Sequence, residues 1–346
     1  MRAAVWNDRG SLDVVDRPVP EPKPGWVRVA VSAVGICGTD LHFFSGAFPS
    51  PAGLLPGHEI GGTVDVSGDS GGAEPAPAVG QAVAVEPLVT CGRCPHCRTG
   101  NATRCATRML LGVTGRGGMA EFATVPATSL YPLPAGLTAA DGALVEPLAV
   151  CVRGTRRAEV GLGDRVLVLG AGTIGLLSLL TARTAGATEV AVTARHPHQQ
   201  AAAAAFGADA VFGSTEEATS QLGPSWADVV LETVGGRAST VKDAVHLARP
   251  GAHIGLLGIF DGDAALPALD FSTKELHLVG SNCYAMADTR SDFDVAVSLL
   301  ADHLDRVRTI VTHRFSLDEV NEAFRTAADK GSGSIKVSID PSAAAS

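Results

Sequence analysis

Residues 160–183 read VGLGDRVLVLGAGTIGLLSLLTAR. A glycine-bounded turn leads into a short apolar strand, then into the G-x-G-x-x-G turn of Gly170, Gly172 and Gly175, then into an apolar run with helical spacing. In that context Gly170 permits a tight turn, Gly172 lets the backbone approach a pyrophosphate, and Gly175 allows close packing of helix on strand. Thr173 and Ile174 open the helix, whose N-terminus favours an anion. EVAVTA, residues 189–194, follows at the distance of one strand–helix–strand unit. The apolar run 166–182 is also long enough to raise the question of a membrane span. Such a span has no use for the three glycines, so no membrane association is expected.

Working outward, ADVVLETVG (227–235) and GAHIGLLGIF (251–260) read as further strands, separated by the helical TVKDAVHLARP (240–250), and LHLVGSNCY (276–284) reads as a last one. Alternating strands and helices predict an α/β fold with a parallel, doubly wound sheet. Ala201–Ala205 read as scaffold helix. Where an NAD-binding unit places Asp or Glu on the ribose, at the end of the second strand, this chain has Ala194, followed by Arg195, His196, Pro197 and His198. A cation in place of a carboxylate favours NADP, with NAD the alternative if Arg195 is merely solvated.

The 346 residues accommodate two domains, and 46% hydrophobic with 18% charged residues describes a globular chain, not a disordered one. A formal net charge of −9 argues against nucleic acid and anionic membranes as partners. The start, MRAAVWNDRG, lacks the basic and apolar regions of a secretory signal, so a cytoplasmic protein is expected.

Seven cysteines in a reducing compartment point to metal more than to disulfides. In CGRCPHCRTGNATRC (91–105), Cys91, Cys94, Cys97 and Cys105 are spaced to wrap one tetrahedral zinc ion, with Gly92 and Gly100 permitting the turns. Four thiolates leave no open position, so this site is structural. A redox C-x-x-C pair would leave the other two cysteines unexplained, and a zinc module for nucleic acid conflicts with the acidic charge.

Upstream, GICGTDLH (35–42) and LPGHEIGG (55–62) supply Cys37, His58 and Glu59. Sulfur, nitrogen and oxygen donors with one position open are the pattern of a catalytic zinc site. LVEPLAVCVRG (144–154) adds Glu146, a carboxylate in an apolar segment where an unpaired charge is costly. Cys151 competes for this role but reads as a small buried hydrophobe. Singly, each residue has a plainer reading: His58 as a hydrogen-bonded core histidine, Glu59 as a surface carboxylate.

WVRVAVSAVG (26–35) and GGTVDVSG (61–68) suggest β structure in the first part of the chain, with an exposed turn region at 67–80. Helix-like SDFDVAVSLLADH (291–303) and LDEVNEAFRTAADK (317–330) precede the strand-like SIKVSID (334–340), and PSAAAS is expected to fray.

With GHE, the four-cysteine loop, EPLAV and GAGTIG in this order, and with GRGGMAEFATVP (115–126) and GSIKVSID (333–340), the chain resembles the zinc-containing medium-chain dehydrogenase/reductase family, alcohol dehydrogenase-like, closest to its sorbitol and threonine dehydrogenase-like branch. The resemblance implies a GroES-like, β-rich catalytic domain at 1–150, a Rossmann domain at 151–285 and a return to the catalytic domain at 286–346. It also implies a homodimer or homotetramer with two zinc ions per subunit. Cys37, His58 and Glu59 would be ligands of the catalytic zinc, and Glu146 a ligand alternating with water. Thr39 would take the substrate proton, Asp40 would support a zinc-bound histidine, and His42 would be a later member of the relay. Their plainer roles are a turn residue, a cap and a surface side chain. The implied reaction interconverts a secondary alcohol (a polyol, cyclitol or amino alcohol) and its ketone, with hydride passing to NAD(P). A non-catalytic NAD(P)-binding sensor and a zinc-independent quinone reductase are the rival readings, although neither needs the open ligand set. Phe43, Phe44, Phe48 and Tyr284 are candidates for the substrate pocket.

Overall fold

The computed structural model describes residues 1–7, 10–49, 51–68 and 77–343. Most of the expected turn region at 67–80, and the last three residues of PSAAAS, lie outside the described residues. Chain contacts divide the protein into two units, Met1–Glu146 with Tyr284–Ser346, and Pro147–Cys283.

The second unit is built on a six-stranded parallel sheet in the order Ala210–Phe212, Glu189–Thr193, Arg165–Leu169, Ala227–Glu232, Ala248–Leu256, His277–Gly280. Sequence order along it therefore reverses between Arg165–Leu169 and Ala227–Glu232, where the strand order of a doubly wound sheet leaves a crevice for ligand. Val166, Leu167, Val168 and Leu169 are all fully buried, as expected of a strand covered on both faces. The strand expected at 251–260 begins earlier, at Ala248, and the preceding helix stops at Leu247. Pro250 explains the difference, because it disfavours the helical conformation at Arg249 and cannot itself donate to the helix ladder. The strand expected to reach 235 ends at Glu232, ahead of a turn in which Gly235 and Gly236 have φ of 62° and 61°. The last strand is shortened to His277–Gly280.

In the first unit the central strand Trp26–Gly35 organises a seven-stranded sheet. Glu59–Ser67 pairs with it antiparallel on one side. The other side is shared: Phe122–Pro126 pairs with residues 26–30, and Lys336–Asp340 pairs with Val34 and Gly35. Buried valines, Val27, Val29, Val31 and Val34 on the central strand with Val64, Val83, Val125 and Val337 around it, form the core with Ile60, Leu317 and Phe324. The chain after Tyr284 returns to this unit, and helix Val320–Ala328 brings Phe324 edge-on to Trp6 at 5.4 Å between ring centroids. A single sheet thus holds residues from opposite ends of the chain side by side.

Candidate active site

The four-cysteine loop is folded around its sulfurs. A short helix, Pro95–Arg98, and a 3-10 turn, Ala102–Arg104, bring Cys94, Cys97 and Cys105 back toward Cys91. The Sγ atoms are 3.5 Å apart for Cys94 and Cys97, 3.6 Å for Cys91 and Cys105, and 3.9 Å for Cys91 and Cys97. Four sulfurs at about 2.3 Å from one tetrahedral ion stand about 3.8 Å apart, so the spacing fits zinc and is far too long for disulfides. The Cys105 thiol is lowered to about 6 by hydrogen bonds from the Thr107 hydroxyl and the Cys91 backbone, which favours the thiolate a metal needs. Met286 N–H donates to Gly100 C=O at 3.0 Å, pinning the loop to the segment after Tyr284.

The second set assembles at one end of the central strand. Cys37 caps the helix Gly38–Phe44, and its N–H donates to Asp40 Oδ2 at 2.9 Å. His58 and Glu59 open the neighbouring strand, Glu59 lying opposite Gly35. Donor atoms of Cys37, His58 and Glu59 all lie within 4.8 Å of one another. Asp40 Oδ1 sits 3.8 Å from His58 Nδ1. Both atoms are buried, and neither has a hydrogen-bond partner among the described residues. A proton on Nδ1, facing Asp40, leaves Nε2 as the nitrogen with a free lone pair.

This pocket calls for positive charge. Burial pushes the His58 imidazole down, but the Asp40 and Cys37 charges outweigh it and leave its pKa well above the ordinary value. Burial raises Asp40, and it pushes Glu146 up to about 7 with help from Glu59. Glu146 is buried beside the cluster but outside the tight group of three donors. Buried anions of this kind are compensated by a cation, and the donor set of thiolate, imidazole and carboxylate suits zinc.

Two residues that the sequence left without a role complete the cluster. Lys336, only 4% exposed, donates from Nζ to both carboxylate oxygens of Glu59 at 2.7 Å and to Ile36 C=O at 3.1 Å. Burial disfavours its charge, yet Glu59 and Cys37 outweigh burial and raise its pKa. Gly35 makes the reach possible, because a Cβ there would stand 1.8 Å from Glu59 Oε2. The available signal was a lysine inside the apolar strand SIKVSID, though nothing local indicated its partner.

Thr39 lies in the first turn of the same helix, 3.9 Å from Cys37 Sγ to Oγ1. His42 takes no part in these hydrogen bonds, and its ring stacks on Phe48 at 4.8 Å. Phe43, Phe44 and Tyr284 each have an aromatic neighbour. They sit against Trp6, Phe324 and Phe293 respectively, with Phe43 and Tyr284 buried and Phe44 partly buried. Cys151 is fully buried and donates to Ile174 C=O at 3.3 Å.

The glycine turn of the second unit has the form its spacing requires. Gly170 has φ of 99°, and an added Cβ would meet Val234 at 2.8 Å. A Cβ on Gly175 would be 2.0 Å from Gly170 C=O, whereas one on Gly172, the N-cap of helix Thr173–Ala185, would meet nothing within 4 Å. Open space at the cap is what an approaching phosphate needs. Ala194 is buried, and Arg195 is exposed with no ion pair among the described residues.

A GroES-like sheet carrying the clustered donors Cys37, His58 and Glu59, in one chain with a dinucleotide-binding sheet, is the architecture of the zinc-binding dehydrogenases. Residues 23–135 match the alcohol dehydrogenase GroES-like domain, and residues 173–302 match the zinc-binding dehydrogenase domain. The chain is 32% identical to sorbitol dehydrogenase of Macaca fascicularis, over 96% of this chain and 94% of that one. It is also 32% identical to 2-dehydro-3-deoxy-L-galactonate 5-dehydrogenase of Pseudoalteromonas atlantica, over 94% of each. Among solved structures it superposes with a TM-score of 0.88, at 32% identity and 99% coverage of both chains, on a zinc-binding dehydrogenase of Sinorhizobium meliloti bound to NADP. The chain therefore belongs to the zinc-containing medium-chain dehydrogenase/reductase family, in its sorbitol dehydrogenase-like branch. It is an NAD(P)-dependent oxidoreductase of the alcohol dehydrogenase type. Among the described residues no helix is long and apolar enough to cross a membrane.

Proposed function

We propose that this enzyme oxidises a polyhydroxylated secondary alcohol reversibly to the ketone, with NADP as the preferred hydride acceptor. The convergence of Cys37, His58 and Glu59 beside buried Asp40 and Glu146 carries this reading. Sorbitol and 2-dehydro-3-deoxy-L-galactonate, named for the two relatives, are both open-chain polyols or their acids, which supports the substrate class. Bound at these ligands, zinc supplies Lewis acidity that makes an alcohol proton easier to remove, and the nicotinamide supplies the acceptor for hydride. Cys37, His58 and Glu59 hold the ion, and Asp40 orients His58. Glu146, with its pKa near 7, is the buried carboxyl able to exchange a proton at neutral pH. Thr39 accepts the substrate proton and passes it toward His42.

Gly170, Gly172, Thr173, Ile174 and Gly175 form the seat of the pyrophosphate, and Arg195 pairs with the 2'-phosphate that distinguishes NADP. Cys91, Cys94, Cys97 and Cys105 hold the second, structural zinc. The protein acts in the cytoplasm as a homodimer or homotetramer, free of nucleic acid and membrane. Cys37→Ala tests the assignment: turnover of polyols should be abolished while the affinity for NADP, read by fluorescence titration, stays near wild type. Undiminished turnover would reject it.

A further inference from the structure

Three acidic groups meet in the first unit: the partly buried Cys37 thiol and the fully buried carboxylates of Asp40 and Glu59. A zinc dication cancels two of their charges. Lys336, on the strand that returns from the far end of the chain, supplies a third positive charge. Its placement is specific. Nζ lies 2.7 Å from each Glu59 oxygen, so it occupies the open face of the carboxylate, between the two oxygens. That face is the one a carboxylate uses to chelate a metal through both oxygens. With it taken, an ion held by Cys37 and His58 can draw on only an outer lone pair of one Glu59 oxygen. The bare Cα of Gly35 and the Ile36 carbonyl at 3.1 Å keep Glu59 and Lys336 in this register.

Resting on the metal-centre reading above, we propose that Lys336 is a positioning residue that restrains Glu59 to a weak, single-oxygen grip on the ion, so that the ion stays strongly electron-withdrawing and its fourth position stays open. Without the lysine, Glu59 is free to chelate through both oxygens, and its buried charge in the metal-free protein is left uncompensated. Both effects favour the metal-loaded form. The substitution should therefore tighten metal binding while weakening catalysis, a pairing that simple loss of packing does not produce.

The experiment uses full-length protein loaded with zinc, and with cobalt(II) exchanged into the open site. Lys336→Met should release this metal to a chelator about tenfold more slowly than wild type. It should also weaken the visible cobalt absorption, as four-coordination gives way to five, and lower turnover about tenfold or more. Lys336→Arg, which keeps a charge able to pair with both oxygens, should restore the wild-type spectrum. A Lys336→Met protein with wild-type release rate and spectrum overturns the proposal, whatever its turnover. Should Lys336→Met fail to fold, X-ray absorption and a crystal structure of zinc-loaded wild type decide. One Glu59 oxygen on the ion with Lys336 in place supports the proposal, and two oxygens with Lys336 displaced overturns it. Wild-type protein holding a single zinc per chain, lost on mutating Cys94, would instead overturn the metal-centre reading itself and this inference with it.

Discussion

Gly35 and Glu59 face each other on adjacent antiparallel strands, and the missing side chain of the first is the space that the carboxylate of the second occupies. A Cβ on residue 35 would lie 1.8 Å from Oε2 and 2.9 Å from Cδ of Glu59. Gly35→Ala must displace Glu59 from Lys336. We expect a stability loss of about 1–3 kcal/mol from overpacking. Turnover should fall about a hundredfold, as when a positioned group moves by about 1 Å. Thermal denaturation and steady-state kinetics of the purified variant check both.

Removing one thiolate from the closed sulfur site should separate folding from chemistry. Cys94→Ala is expected to lower the zinc content by one ion per chain and to lower the melting temperature, since binding at a closed site is folding free energy. NADP affinity should stay close to wild type, because Cys94 lies in the first unit and the glycine turn in the second. Metal analysis and calorimetry on the same preparation decide it.

Cofactor choice is expected to rest on Arg195. Arg195→Ala should raise the KM for NADP tenfold to a hundredfold, the equivalent of about 1.5–3 kcal/mol for a charge-assisted hydrogen bond, and leave the KM for NAD nearly unchanged. Parallel kinetics with the two nucleotides read the ratio directly. Equal effects on both would show that the arginine is only solvated.

Acid should loosen the nucleotide-binding unit in a defined window. Asp228 accepts from the Arg165 N–H at 2.8 Å and from the Arg165 and Arg249 guanidiniums. Burial raises its carboxyl, but those donors outweigh burial and lower it from 3.8 to about 2. A folded-state pKa below the unfolded one means that the stabilisation is complete above about pH 4 and lost as pH falls toward 2. The two arginines are 40% and 43% exposed, so solvent screening reduces the full linkage value to about 1 kcal/mol. Asp228→Asn should thus cost about 1 kcal/mol in denaturant titrations at pH 7 and progressively less as pH falls through about 2.

Local sequence determined whatever depends on neighbours along the chain. The glycine turn at 170–175 announces both its strand and its helix, because the φ values and close approaches it needs belong to a few consecutive residues. The four cysteines within fifteen residues likewise carry their own site. GICGTDLH and GHE offered three candidate donors by residue type, and the structure brings Cys37, His58 and Glu59 together. Tertiary structure alone decided how those donors are charged and held. Lys336 reaches Glu59 across 277 residues of chain, through a sheet that pairs strands from opposite ends of the sequence over a glycine. It also set the ring partners of Phe43, Phe44 and Tyr284, since an aromatic residue reads the same in a pocket wall and in packing until its neighbours are known. Electrostatic and packing partners act through space, at distances of a few ångströms that sequence separation does not encode.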